Sequence, residues 1–400
     1  MCRESMRFYI IGIDDNSTPR LTAEVEQIIS QAKVFSGGVR HRQIVGERLA
    51  EGSEWIDIVP PMSALFERFV EHREVVVFAS GDPLFYGFAQ TVQRLAPEAE
   101  VVVFPYFNSL QELAHRALLP YQDMVNVSLT GRPWFGFDEA LIRGSEMVGV
   151  LTDRVAHTPQ RIAQRMLDYG FTNYSIVVGE LLGNTERERV REMSVEEVAG
   201  GEFEYPNNLI LRRKWRLERW FGIPDKEFNL LDGRERMITK MAIRLVSLSQ
   251  LNLVNCESLW DIGFCTGSIS IEAKQSFPHL RINAFEVREE GAELIEANMR
   301  KFSTPSIDYH IGDFCEAQLD ELPTPDAVFI GGHGGRLGAI VERVAERLKV
   351  GGAVVMNSVS EGSYEGFVES VERCGLQVVG EMKLSVDDYN MIKVIKAIKL

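Results

Sequence analysis

Between residues 259 and 273 the sequence reads LWDIGFCTGSISIEA, and no other stretch narrows the possible fold as much. An apolar run ending at Asp261 reads as a buried strand, a glycine-rich turn follows, and a helix begins near Ser268. Gly263 and Gly267 let the backbone turn tightly and approach a ligand with no Cβ in the way. Amides at the helix start can then hold a carboxylate or phosphate. A strand–turn–helix corner of this kind belongs to an α/β sheet.

The rest of the chain agrees, because short β-branched runs alternate with helix-like stretches throughout. In the first half the expected strands are Arg7–Ile13, Glu74–Ala79, Val101–Phe104, Val125–Leu129, Met147–Leu151 and Ser175–Val178, with a last one near Tyr205–Arg213. Helices are expected over Leu21–Lys33 and Pro159–Tyr169, where Pro159 suits a first turn. The segment Lys214–Gly233 is polar, has no strand alternation and reads as a linker. It divides the 400 residues into expected domains 1–215 and 216–400. Alternation resumes with Ser258–Ile262, Ile282–Val287, Asp308–Gly312, Ala327–Ile330, Ala353–Asn357, Gln377–Met382 and Met391–Ile398.

Charge and composition exclude several classes. There are 43 Lys+Arg against 58 Asp+Glu, a net charge of −15 at pH 7, which repels a nucleic-acid backbone. No run approaches the length of a membrane span, and the opening MCRESMRFYIIGIDDN meets an acidic pair too early for a secretory signal. Five scattered cysteines (Cys2, Cys256, Cys265, Cys315, Cys374) and seven scattered histidines make no metal-ligand spacing and no disulfide framework. A reducing cytoplasm and no metal are expected.

The stretch DIGFCTG resembles motif I of class I S-adenosylmethionine (SAM) methyltransferases, with Cys265 where that pattern has its middle glycine. Cys is expected there only if its φ is negative. Two acids fall in register behind it: Glu286 closes the strand INAFEV, placed for ribose hydroxyls, and Asp313 follows in HIGDF, placed for the adenine amino group with Phe314 flanking the ring. DAVFIGGHGGR (326–336) adds four glycines around His333, a loop that a bulky substrate can approach, with His333 set to bind substrate carboxylates or shift protons.

The first half carries ASGDPLFYG (79–87), NSLQELAHRALLPYQD, SLTGR ending at Arg132, and VVGELLGNTERERV. Together these resemble the class III tetrapyrrole methylases, nearest the CbiE type, whose cofactor lies between two α/β sub-domains. The second half, with MITK at Met237–Lys240, DIGFCTG and GGHGG, resembles the class I, Rossmann-like CbiT type. Fused in this order they resemble the CobL family, the precorrin-6B C5,15-methyltransferases (decarboxylating). That resemblance implies SAM-dependent methylation of a corrin precursor at C5 and C15, with or without cobalt, and loss of the C12 acetate carboxyl, in cobalamin biosynthesis. It also implies two SAM sites per chain and a dimer or tetramer.

By the same resemblance the first SAM site is carried by Gly12, Gly81, Asp82, Pro83, Leu84, Phe85, Ser109, Thr130 and Arg132, with Gly179 and Glu180 nearby. The second takes Thr239, Gly263, Phe264, Cys265, Thr266, Gly267, Glu286, Asp313 and Phe314. Arg132, Arg154 and Arg336 are candidates to meet substrate carboxylates. The family's glycine-rich opening loop is replaced here by IGIDDN, where Asp14 and Asp15 stand in place of glycine and proline. The competing readings are a methyltransferase acting on RNA or protein, and a SAM-binding protein without catalysis.

Overall fold

The computed structural model describes residues 6–14, 16, 19–234, 237–386 and 391–400. Cys2 and Asp15 lie outside the described residues. The chain forms two compact units, one made of residues up to 132 with 146–164 and 174–214, the other of 133–145, 165–173 and 215–400.

The first unit holds two five-stranded sheets. Strands β1 (Arg7–Ile13), β2 (Val34–Gly37), β3 (Glu54–Asp57), β4 (Glu74–Ser80) and β5 (Glu100–Phe104) form a parallel sheet in the order β3-β2-β4-β1-β5. Its central strands are apolar on both faces because both are covered. Phe8, Ile10, Val75 and Val77 enter one core while Ile11, Ile13, Val76 and Phe78 enter the other. Strands β6 (Val125–Ser128), β7 (Met147–Leu151), β8 (Tyr174–Glu180), β9 (Arg189–Ser194) and β10 (Asn207–Arg213) form the second sheet, β6-β7-β10-β8-β9. Here only β6 and β7 are parallel.

Three strands were not anticipated. β2 and β3 are four residues each and carry Ser, Gly, Glu and Asp, so neither shows an apolar run. β9, RVREMS, is an edge strand with polar side chains, as edge strands tend to be. For the two helices expected by range the differences are at the ends: the one expected over Leu21–Lys33 spans Ala23–Gln31, with Thr22 accepting from the Val25 amide, and a helix does begin at Pro159. The segment Lys214–Gly233, expected as a linker, instead buries Ile223 and Phe228 in the core of the second unit.

The second unit is built on seven strands: β11 (Ser258–Ile262), β12 (Arg281–Glu286), β13 (Ile307–Ile311), β14 (Ala327–Ile330), β15 (Ala353–Ser358), β16 (Leu376–Leu384) and β17 (Ile392–Lys399). Their order is β13-β12-β11-β14-β15-β17-β16, parallel except for β17, which runs against both neighbours. Alternation again sorts the cores, with Leu259, Ala327 and Phe329 on one face and Trp260, Ile262, Val328 and Ile330 on the other. The segments 133–145 and 165–173 count with this unit; within it Asp138, fully buried, takes a two-pronged ion pair from Arg165.

One buried ion pair fixes the segment leading into the sheet. Glu272 accepts the amides of Gly222 and Ile223 at 2.9 Å each and Arg244 Nε at 3.0 Å. Arg244 also donates to the carbonyls of Thr239 (2.7 Å) and Ile223. Both side chains are wholly buried, so the pair is tolerable only because its hydrogen bonds are so nearly complete. Removing one partner strands the other charge. Arg244→Met should lower the stability of the second unit by about 3–5 kcal/mol, read as an earlier urea transition.

Candidate active sites

In the second unit the connection after β11 runs to β12 on one side of the sheet and the connection after β14 runs to β15 on the other. That divergence is where open α/β sheets bind ligands. A cavity of about 640 Å³ opens there, within the ordinary range for small-molecule sites. It is lined by Thr239, Gly263 to Thr266, Glu286, Asp313, Phe314 and His333, among others. Of the residues expected in the second site, all but Gly267 line this wall. Gly267 caps the helix Ser268–Ser276 at φ 73°, and a Cβ on it would meet Ile295 at 2.7 Å.

The floor is a contact between two backbones. A Cβ on Gly263 would sit 2.6 Å from the Gly332 nitrogen and 2.7 Å from its oxygen. Gly263 is therefore needed for packing, and of the GGHGG glycines Gly331 is the tight one, its would-be Cβ 3.0 Å from the Phe329 ring and 3.1 Å from the Gly263 oxygen. Cys265 corrects the expectation made for it: its φ is +52°, left-handed, at a cost of roughly 1–2 kcal/mol. The turn demands that backbone, and the side chain fits because it points out of the turn, its thiol 2.8 Å from the Met237 carbonyl.

Glu286 is 3 % exposed. One oxygen accepts the Cys265 amide at 2.9 Å, and the other accepts the Val287 amide at 3.0 Å and the Arg288 amide at 3.2 Å. It thus braces the motif-I turn while facing the cavity. Asp313 accepts the Cys315 amide at 2.8 Å and pairs with Arg336, which together hold its carboxyl below the usual range. Phe314 is largely core, edge-on to Phe285. His333 accepts the Gly335 amide at Nδ1 (3.3 Å), leaving Nε2 to face Ser363 Oγ at 3.3 Å.

Three polar atoms on this wall, Asp261 Oδ1, Thr266 Oγ1 and Asn357 Nδ2, are buried with no hydrogen-bond partner among the described residues. Unpaired buried polar atoms are costly, and all three belong to residues that line this cavity. Asn357, at the end of β15, was not singled out from the sequence, since a lone Asn in AVVMNS carries no motif.

In the first unit Gly12, the loop from Gly81 to Phe85 and Ser109 lie at strand ends of the parallel sheet, whereas Thr130 and Arg132 follow β6 of the second sheet. A Cβ on Gly12 would lie 2.0 Å from the Gly81 oxygen, and one on Gly81 2.9 Å from Asn108 Cα. Asp82 caps its own loop by accepting the Leu84 amide (2.8 Å), and Phe85 packs on the core beside Leu110 and Leu113. Ser109 opens the helix Ser109–Arg116, whose N-cap is Asn108. Thr130 donates to the Thr152 carbonyl. Arg132 bonds Ser128 and lies over the Tyr86 ring at 4.9 Å, so SLTGR meets GDPLFYG. Asp14, from the altered opening loop, accepts from the Tyr106 hydroxyl at 3.0 Å.

Two residues expected near the first cofactor have structural work instead. Glu180 is 1 % exposed, and its four acceptor positions are filled by Arg189 (twice), Arg191 and the Glu204 amide. Gly179 makes room for Leu113, 2.8 Å from its would-be Cβ. Of the basic candidates, Arg154 stacks on Tyr205 and Arg336 is paired with Asp313.

Comparison with known proteins now bears on these sites. A relative from Sinorhizobium sp described as "Precorrin-6Y C(5,15)-methyltransferase [decarboxylating]" is 31% identical over 356 residues, 88% of this chain and 84% of the relative. The chain belongs to the precorrin-6Y C5,15-methyltransferase (decarboxylating) family. Residues 7–199 match the Tetrapyrrole (Corrin/Porphyrin) Methylases and 232–395 the Precorrin methyltransferase domain. A "Cobalt-precorrin-6B C(15)-methyltransferase (decarboxylating)" from Salmonella typhimurium is 37% identical over 134 residues, 34% of this chain and 68% of that protein. A crystal structure described as precorrin-6y C5,15-methyltransferase from Geobacter metallireducens GS-15 is 34% identical, with a TM-score of 0.40 over 44% of this chain and 97% of that one.

Two outcomes test the cavity of the second unit as a cofactor site. Glu286→Ala should weaken SAM binding there by about 1–3 kcal/mol, the loss of a charge-assisted hydrogen bond, measured by calorimetry. The second concerns Asp261, whose carboxyl burial pushes up to about 7. Below about pH 4 the acid is protonated both folded and unfolded; between there and 7 only the unfolded chain ionises it, so stability falls as pH rises. Asp261→Asn should therefore gain on the wild type in urea melts as pH climbs from 4 to 7, with no further gain above.

Proposed function

We propose that each half of this chain carries its own SAM site, the first within residues 1–215 and the second within 216–400. The chain is a SAM-dependent methyltransferase of cobalamin biosynthesis, acting on a precorrin-6 intermediate with decarboxylation; its relatives' descriptions support C5 and C15 as the positions methylated. The observation that carries the reading for the second site is the cavity where Gly263, Glu286, Asp313 and His333 meet.

These residues suit the cofactor: Glu286 and Asp313 present acceptors where hydroxyls and an amine are to be held, beside the close approach of Gly263 to Gly332. SAM provides an electrophilic methyl on a sulfonium. What the protein does is position. The glycine floor lets a flat macrocycle come close, and holding the reacting carbon in line replaces a bimolecular encounter by a fixed one. The conjugated ring is its own electron sink for carboxyl loss, so no protein base of unusual strength is needed. His333 stands at the rim with Nε2 directed to Ser363, and a rotation frees it to orient the departing carboxylate.

We assign the first methylation, at C5, to the loops ending β1, β4 and β6. A cytoplasmic location and a dimer or tetramer complete the proposal; the described cysteines Cys256, Cys265, Cys315 and Cys374 are free, and no helix among the described residues is long and apolar enough to cross a membrane.

Incubation with precorrin-6B, with and without cobalt, and SAM should give a product that has gained two methyl groups and lost one CO2 by mass. Calorimetry should show two SAM equivalents per chain; one equivalent overturns the two-site reading. His333→Ala should slow decarboxylation and C15 methylation by roughly 10- to 100-fold, the scale of a mispositioned group, while C5 methylation continues.

A further inference from the structure

At the end of β4, beside the glycine contact of the first unit, three side chains form a cluster that nothing above uses. Arg40 donates to Ser80 Oγ at 2.9 Å, and His41 Nε2 lies 2.9 Å from the same oxygen. The other ring nitrogen, Nδ1, faces the Gly38 amide at 3.2 Å. An amide can only donate, so Nδ1 accepts and the proton of a neutral ring sits on Nε2. Burial first, and then the Arg40 charge, hold His41 down to about 4, which keeps the ring neutral near pH 7.

The hydrogen inventory then closes on Ser80. A hydroxyl has two lone pairs and one proton. Both lone pairs are taken, one by a guanidinium and one by the imidazole N–H. The proton has no acceptor among the described residues, and Ser80 is exposed. It is polarised by the Arg40 charge, so it favours an anionic acceptor. Its place is telling: Ser80 pairs with Ile13 across β1 and β4 and precedes Gly81. The connections after β1 and β4 run in opposite directions across the sheet, to β2 and β5, which marks a binding crevice.

We propose that Ser80, held by Arg40 and His41, is a carboxylate-anchoring residue of the first active site. This rests on the reading of that half as a methyltransferase of a polycarboxylate tetrapyrrole. In a chain of net charge −15, such a substrate needs local donors to settle, and this cluster supplies one backed by a cation. The carboxylate belongs to a side chain of the tetrapyrrole or to the methionine end of the cofactor.

The test uses the full chain with precorrin-6B and SAM, reading C5 methylation by mass. Ser80→Ala should raise a KM by roughly 10- to 100-fold, the span of a lost hydrogen bond to a charged group, with kcat changed little. Ser80→Thr, which keeps the hydroxyl, should restore it. A rise in the precorrin KM alone assigns the anchor to the tetrapyrrole; a rise in the SAM KM alone assigns it to the cofactor. Unchanged KM values in a Ser80→Ala chain that still methylates C5, or a loss that Thr fails to restore, overturn the anchor. Absence of C5 methylation in the unsubstituted chain instead overturns the assignment of that activity to the first half.

Discussion

Both units rest on backbones that touch where no Cβ fits. In the first, Gly12 meets Gly81 with only 2.0 Å for a would-be Cβ; in the second, Gly263 meets Gly332 with 2.6 Å. The two folds are unrelated in strand order, yet each closes its site by pressing loops from adjacent parallel strands together at their carboxyl ends. The amides and carbonyls of those loops are then fixed before any ligand arrives, and a preorganised polar surface loses little order on binding. An alanine at Gly12, Gly81 or Gly263 forces the loops apart, so the constraint lies in the strand ends themselves and propagates to every residue that follows them.

Much of this was legible because the physics is local. A strand covered on both faces must be apolar throughout, so β1, β4, β11 and β14 announce themselves, and the strand–turn–helix at Asp261–Ser268 follows from its glycines. What escaped depends on distant partners. Arg244 and Glu272 look like ordinary helix-surface charges, and only the fold buries them together with the amides of Gly222 and Ile223. Glu180 was placed near the first cofactor by resemblance, yet Arg189 and Arg191 on β9, a strand without an apolar pattern, take up its acceptors. The GGVRH segment gave no signal until Ser80 was seen between Arg40 and His41.

Charge follows the same logic. A net charge of −15 suggests a surface hostile to a polycarboxylate, and the arginines that first seem available are engaged: Arg132 over Tyr86, Arg154 over Tyr205, Arg336 on Asp313. Stacked or paired guanidinium groups hold their planes fixed. The positive field of Arg132 and Arg154 persists while their planes are set, whereas that of Arg336 is largely cancelled by Asp313, so attraction of an anion and its final orientation fall to different groups. Net charge therefore bears on encounter, and the fixed local donors bear on orientation.

The cavity of the second unit shows what strain and unpaired polarity the fold tolerates along one wall. Cys265 is left-handed, Asp261 is buried without a full set of partners, and Thr266 and Asn357 each leave a polar atom unpaired. Every one of these lowers stability, and they stand within one wall. Asn357 illustrates how such an atom is aimed. Ser247 Oγ lies 2.8 Å from the Ile243 carbonyl and 3.0 Å from Asn357 Oδ1, but one hydroxyl proton serves only one of them. If it goes to Asn357, the amide NH2 is the group left unpaired; if it goes to Ile243, the amide turns over, donates to Ser247 and leaves its oxygen unpaired instead. The two arrangements exchange donor for acceptor without moving the backbone, so a rigid glycine floor coexists with a side chain behind it whose polarity inverts by one amide rotation.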